Sequence, residues 1–249
     1  MYPLLSLSAL FQIGCIVHAI RTGRAYWWIF ILMAGSFVGV AAYVIAELLP
    51  DMRHNRAARQ VLRQARDRVD PDRRRREASR QLEVADTLDN RKRLAGECFD
   101  SGDYAQAAEM YRSGLRGLYR TDPDLMLGLA RAEFAQGRHA EARQTLDDLI
   151  AANPDFRSPE GHLLYARSLE ASGDIDGALH EYAALVDGYP GEEARVRHGL
   201  LLRRAGRDAE AAEVLRASIK RTGLAPKYYQ RQQREWLDLA KRTLAELAG

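Results

Sequence analysis

Four short stretches decide how the chain folds: Gly102-Asp-Tyr-Ala-Gln-Ala107, Gly137-Arg-His-Ala-Glu-Ala142, Gly173-Asp-Ile-Asp-Gly-Ala178 and Gly206-Arg-Asp-Ala-Glu-Ala211. Their glycines lie 35, 36 and 33 residues apart. A glycine followed five residues later by alanine, at a period near 34, marks a repeated two-helix unit, because each copy ends one helix and begins the next at the same place. Leu129, Ala130 and Phe134 recur at helical spacing before Gly137, and Leu146 and Leu149 continue an apolar face after Ala142. Asn153-Pro154 then ends the second helix, since proline cannot continue it and restricts the residue before it.

The other units follow the same order. Tyr165, Ala166, Ala178, Tyr182, Leu185 and Pro190 form the third, and Leu94, Ala95, Tyr104, Ala107 and Tyr111 the first, which lacks a closing proline. In the fourth, Gly199, Ala211 and Leu215 fit and Pro226 comes late. This pattern resembles the tetratricopeptide repeat over residues 88–225, without the tryptophan or tyrosine often found early in that family's first helix. The resemblance implies an all-α solenoid whose first helices line a concave partner-binding surface. Residues 226–249 form a capping helix, with Trp236, Leu237, Leu239, Ala240, Leu244 and Leu247 as its apolar stripe.

Carrying the family's groove positions onto this chain gives Lys92 and Phe99, then Leu127, Arg131 and Phe134, then Leu163 and Arg167, then Val196, Arg203 and Arg204. Arg131 and Arg167 are one repeat apart and are expected side by side. Guanidinium groups above an apolar floor suit another protein that presents an acidic peptide segment, gripped by paired hydrogen bonds. The equal alternative is that these arginines pair with acids on neighbouring helices, such as Glu170 or Glu160. The family's carboxylate clamp also uses asparagines, and Gly96 and Arg131 stand at those places, so chaperone-tail binding is not expected.

Outward from the repeats, the composition changes twice. Residues 51–93 carry 14 Arg and Lys against 8 Asp and Glu, whereas residues 1–50 carry only Arg21, Arg24 and Glu47 as formal charges. Tyr26 to Leu49 is an apolar run of 24 residues opening on Tyr26, Trp27 and Trp28, long enough to span a bilayer core as a helix. Residues 2–20 form a second apolar run, joined to it by Arg21-Thr-Gly-Arg24. No basic residue precedes Arg21 and no small-residue cleavage site follows, so the segment is expected to be retained. Residues 1–50 thus read as a membrane-anchoring helical hairpin, and Gly35 and Gly39 offer a close helix contact.

The stretch Trp27-Trp28-Ile-Phe-Ile-Leu, Gly39, Tyr43 and Glu47-Leu-Leu-Pro50 resembles the phospholipase D nuclease N-terminal domain found on cardiolipin synthases. The proline common before that family's glycine is absent, the segment reading Ala34-Gly35-Ser36-Phe37-Val38. The likeness covers about the first fifth of the chain and implies an anchor. The H-x-K-x-x-x-x-D signature of the enzyme half is missing.

Residues 51–87 read as a basic juxtamembrane neck. Arg53, Arg56, Arg59, Arg63 and Arg66 share one helical stripe suited to anionic lipid, although a solvated linker has the same composition. The arginine excess after the span places the repeats in the cytoplasm, against the weaker pull of Arg21 and Arg24. No aromatic residues interleave the arginines, so nucleic acid is not expected. Two cysteines, Cys15 and Cys98, exclude a disulfide framework, and six scattered histidines have no metal-ligand spacing. No catalytic constellation, cofactor or metal site is expected. The sequence therefore points to a protein-binding scaffold at a bacterial inner membrane, with an accessory subunit of a lipid-handling or cell-envelope assembly system, acting through the Arg-rich neck, as the alternative.

Overall fold

The computed structural model describes residues 70–248 and, nearer the N-terminus, 13–21, 27–34, 40, 44 and 46. The chain divides at Arg73 and Arg74 into two compact units.

In the first unit, helices α1 (13–21) and α2 (Trp27–Ala34) meet through Cys15, Ala19, Trp28 and Leu32, with Trp27 stacked on Trp28 at 4.4 Å between ring centroids. Among the described residues no helix is long and apolar enough to cross a membrane. Most of the anchoring hairpin expected over 1–50, and Arg53, Arg56, Arg59, Arg63 and Arg66, lie outside the described residues.

The second unit is all helix. It opens with α3 (Arg73–Val84), followed by the pairs α4 (Leu88–Asp100) and α5 (Tyr104–Gly114), α6 (Pro123–Ala135) and α7 (His139–Ala152), α8 (Pro159–Ala171) and α9 (Ile175–Gly188), and α10 (Glu193–Arg204) and α11 (Asp208–Leu224). It closes with α12 (Lys227–Gln232) and α13 (Arg234–Ala248). Each pair packs on itself and on the next, and α10 and α11 both pack on α13.

The turn inside each pair is set by its glycine. Gly102, Gly137, Gly173 and Gly206 have φ of 83°, 77°, 84° and 74°, a left-handed conformation that side chains resist. The next residue then reaches back across the turn: the N–H of Asp103 donates to Cys98, Arg138 to Glu133, Asp174 to Leu169 and Arg207 to Leu202. These bonds satisfy carbonyls that a helix end leaves open. Asp103 and Asp174 also cap the following helix, each accepting from an N–H three residues on. Ala107, Ala142, Ala178 and Ala211 are fully buried, so a larger side chain there would force the paired helices apart. Glycines allow the same closeness between the first and second repeats at Gly128, where a Cβ would lie 2.5 Å from the Tyr111 ring, and inside the fourth pair at Gly199, where it would lie 2.7 Å from Leu215.

Two expectations change in detail. Lacking a closing proline, the first repeat runs on into an eight-residue connection, 115–122, holding a single 3-10 turn at Gly117–Tyr119. The capping segment is two helices, broken at Gln233. That residue is buried because its side-chain oxygen accepts the Glu192 N–H at 2.9 Å. At the other end, α3 places Ala78 and Leu82 on the apolar cluster of the first repeat, and Asn90 bonds the carbonyls of Gln81 and Ala85.

The C-terminal end is locked by Glu192, which has no exposed surface. Its carboxylate accepts from Ser218 Oγ at 2.7 Å, Tyr229 Oη at 3.0 Å and Arg221 Nε at 3.0 Å, tying the third-to-fourth connection to α11 and α12. Burial opposes its charge, but the hydrogen bonds from Ser218 and Tyr229 and the charge of Arg221 hold it below its ordinary 4.5. A carboxyl with a depressed folded pKa stabilises above its unfolded value and loses that effect as pH falls through the folded value. Stability is therefore expected to decline as pH drops below 4.5. Glu192→Ala should lower unfolding free energy by about 3 kcal/mol and flatten that decline, as followed by circular dichroism in denaturant.

Candidate functional site

The first helices α4, α6, α8 and α10 carry the expected groove positions, and neighbouring pairs of α4, α6 and α8 are in contact. Three of the ten positions do not face a partner with free chemistry. Val196 is fully buried against Leu215 and Ala240, and Leu163 is 5% exposed in the core of the third repeat, so neither forms a groove floor. Leu127 is half-buried, packed in the second repeat's core and touching the backbone side of Gly161.

The cations at the two ends are committed within the chain. Lys92 Nζ lies 3.1 Å from Asp122 and 3.2 Å from Asp124. Burial works against its charge, yet the two carboxylates hold the ammonium above its ordinary range. Arg203 pairs with Glu246 on α13, and Arg204 pairs with Glu170 on α8. The alternative of internal pairing thus holds for these three.

The middle of the row is different. The Arg131 guanidinium stands over the Phe99 ring at 4.9 Å, and the Arg167 guanidinium over Phe134 at 4.7 Å. Each arginine sits six residues before its repeat's turn glycine, and each ring three residues before the glycine of the preceding repeat. The two pairs are therefore one contact made twice, one repeat apart. Stacking on a ring occupies the guanidinium face and leaves the N–H fork at its edge free. Arg131 is exposed and has no ion pair in the described residues; the nearest carboxylate to Arg167, Glu193, is 4.0 Å away and already bonds Arg197 at 2.8 Å. Burial, then the charge of Arg197, lowers the pKa of Arg167, so this half-buried cation is short of negative charge.

A third such contact, Arg197 over Trp236 at 5.1 Å, joins the fourth repeat to the cap. In the third repeat the ring position is Glu170, which accepts from Tyr182 Oη at 2.6 Å and pairs with Arg204, so the stacking run stops there. Sequence reasoning placed Phe99, Arg131, Phe134 and Arg167 in the groove and Trp236 on the apolar stripe of the cap, but missed the stacking and the role of Arg197. The common offset from each turn glycine was the signal for the stacking. Guanidinium forks held in this way have the chemistry to grip a carboxylate; among the described residues no three His, Cys, Asp or Glu side chains gather to hold a metal.

Two models of the tetratricopeptide repeat match, at residues 99–168 and 163–227. Residues 99–227 are tetratricopeptide repeats. Over 135 residues the chain is 32% identical to cellulose synthase operon protein C of Xanthomonas axonopodis pv. citri (strain 306), covering 53% of this chain and 8% of the relative. The chain thus spans less than a tenth of that relative's length. Among solved structures, MamA is similar at 18% identity and a TM-score of 0.51, covering 74% of this chain and 95% of its own. YrrB, described as a TPR protein with an unusual peptide-binding site, matches at 16% and 0.51, covering 69% and 95%. A thermophilic TPR protein of Thermus thermophilus, TTC0263, matches at 21% and 0.50, covering 69% and 88%. At these identities the likeness is one of fold.

If the repeats hold Arg131 against Phe99, the two side chains are energetically coupled. A double-mutant cycle with Phe99→Leu and Arg131→Gln, read by denaturant unfolding, should give about 0.5–1 kcal/mol. The more desolvated Phe134 and Arg167 pair should exceed it. Coupling indistinguishable from zero in both cycles would remove the ring-supported arginines from the account.

Proposed function

We propose that the chain is a membrane-tethered repeat scaffold that holds an acidic segment of another protein between Arg131 and Arg167. The observation that carries this is the pair of ring-supported guanidiniums, one repeat apart, without close carboxylate partners among the described residues while the cations around them are paired. Packed helices lie roughly 8–10 Å apart, and a polyproline II chain advances about 3.1 Å per residue with three residues per turn. Acids three residues apart in such a peptide fall on one face roughly 9 Å apart and therefore match the two arginines. No covalent chemistry is required: affinity comes from two charge-assisted forks, and location from the tether.

The tether is inferred from the apolar run Tyr26 to Leu49 and the arginine excess that follows, which favours repeats on the cytoplasmic side of an inner membrane. The relative named for a cellulose synthase operon favours a second reading, an accessory subunit of a cell-envelope assembly system that also contacts anionic lipid through Arg53, Arg56, Arg59, Arg63 and Arg66.

Binding of a fluorescent peptide with glutamates at three-residue spacing to the full chain in detergent tests the groove. Changing either arginine to Gln should weaken binding about tenfold, the value of one charged hydrogen-bonded contact. Arg216→Gln, on the exposed side of α11, should have no effect. Equal losses at Arg216 and at the groove would show a diffuse charge effect and defeat the proposal. For the tether, a reporter fused after Gly249 should be active only if its enzyme works in the cytoplasm; activity of a periplasm-only reporter would overturn the orientation.

A further inference from the structure

The connections between repeats carry a second feature that the groove does not use. A cleft of about 490 Å³ opens between the ends of α7 and α9 over the start of α8, floored by Leu146, Leu149 and Leu185 and walled by Ile150 and Phe156. That volume is in the range of sites that enclose a ligand or an anchoring side chain. Its polar wall is already partnered: His162 Nε2 lies 2.6 Å from Glu181, and Tyr165 Oη donates to Asp147 at 2.8 Å. Burial first and then Asp147 push the Tyr165 hydroxyl up to about 12, so it stays a neutral donor. What the cleft offers is its apolar surface, with Ile150 53% exposed at the mouth.

Beside the cleft stands an apolar tip that no described residue of the repeat unit covers. In the connection 115–122, Leu118 is 98% exposed and Tyr119 48%, flanked by exposed Arg116 and Arg120. The positive φ of Gly117, 57°, turns the chain outward there. Tip and cleft share an edge of the repeat stack, because Asn153 of the cleft donates from Nδ2 to the Thr121 carbonyl at 3.0 Å. Leu118 nevertheless stays out of its own chain's cleft.

The charges of the two neighbours are opposite. Residues 112–121 hold three arginines and no carboxylate, whereas the cleft-forming segments 146–165 and 181–188 hold six carboxylates against Arg157. That sign rejects an anionic lipid surface as the occupant and favours a basic, apolar insert.

We propose that the occupant is the Leu118–Tyr119 tip of a second copy of this chain, in a two-fold dimer where each tip fills the other copy's cleft. The adjacency decides the symmetry. When knob and hole lie side by side on one face, a contact and its reciprocal form together and close the assembly at two; on opposite ends, the same contact would propagate. The groove at Arg131 and Arg167 takes no part in this contact.

Position-specific cross-linking of the full chain in detergent tests it. Leu118→Cys and Ile150→Cys are made separately in a background with Cys15 and Cys98 changed to Ala, then mixed and oxidised. The mixture should yield a species of about twice the 28.0 kDa chain mass, at several times the level given by Leu118→Cys mixed with Ala217→Cys, which lies on exposed α11. Without cross-linking, Leu118→Glu should weaken the dimer at least tenfold; at 98% exposure this change does not threaten the fold. A single 28.0 kDa species, equal cross-linking in both mixtures, or a dimer indifferent to Leu118→Glu would overturn the proposal. The last result would move the dimer contact elsewhere on the chain. Loss of anionic-vesicle binding on Leu118→Glu in a protein that is already monomeric before the change would also overturn it, making the tip a lipid contact.

Discussion

A unit of two helices and about 34 residues has no inside of its own. Each repeat here presents apolar side chains on both faces, and they leave water only when the next unit covers them. The core is accordingly a chain of clusters: Leu94, Cys98 and Leu129 join the first repeat to the second, Leu146 and Leu164 the second to the third, and Leu169, Leu185 and Leu201 the third to the fourth. Both ends of such a stack need a cover. Leu82 and Ala78 of α3 supply one, and Trp236, Ala240 and Leu244 of α13 the other. Glu192 fixes the second cover with a buried network, and removing one member strands the rest without partners.

The same repetition builds the row of arginines over rings. When units stack in constant register, a residue at one offset meets a residue at another offset in the neighbouring unit every time. Arginine over phenylalanine occurs twice by that rule and ends where Glu170 replaces the ring. The site is therefore a consequence of register, and its charge is left unmatched only in the middle of the row. Arg167 feels this most, being partly desolvated and close to Arg197. The connections show a different consequence of the same design: one lengthened without its proline projects Leu118, and the next bounds an apolar cleft.

Local signals made most of the repeat fold legible. A turn glycine, the alanine five residues on and an Asn-Pro stop each act within a few residues, so their spacing alone located the helices. Pairings over long separations were legible only in part. Glu170 stood among the acids offered to the groove arginines, but nothing local showed that Arg204, 34 residues on, would take it, or that Arg203 would meet Glu246 43 residues away, because the stack brings those turns together. Val196 and Leu163 went astray for a related reason, since family groove positions were carried over without knowing which side of each helix the neighbouring repeat covers. The break at Gln233 was hidden as well, because a glutamine inside a helical pattern gives no sign that a distant backbone N–H will claim it. The apolar N-terminal run could be read only as composition, and its tethering role remains the proposal made from that composition.

The central claim is that register places Arg131 and Arg167 on the rings of the preceding repeats while leaving their donors free. Side-chain Nε–H resonances of the ¹⁵N-labelled full chain report this directly, since a proton held near an aromatic face is shifted by the ring current. Both resonances should be displaced from ordinary arginine positions, return on Phe99→Leu and Phe134→Leu respectively, and exchange with water at the rate of unpaired groups. Ordinary shifts unaffected by either ring substitution would contradict the account, as would slow exchange showing that both guanidiniums are already bonded within the chain.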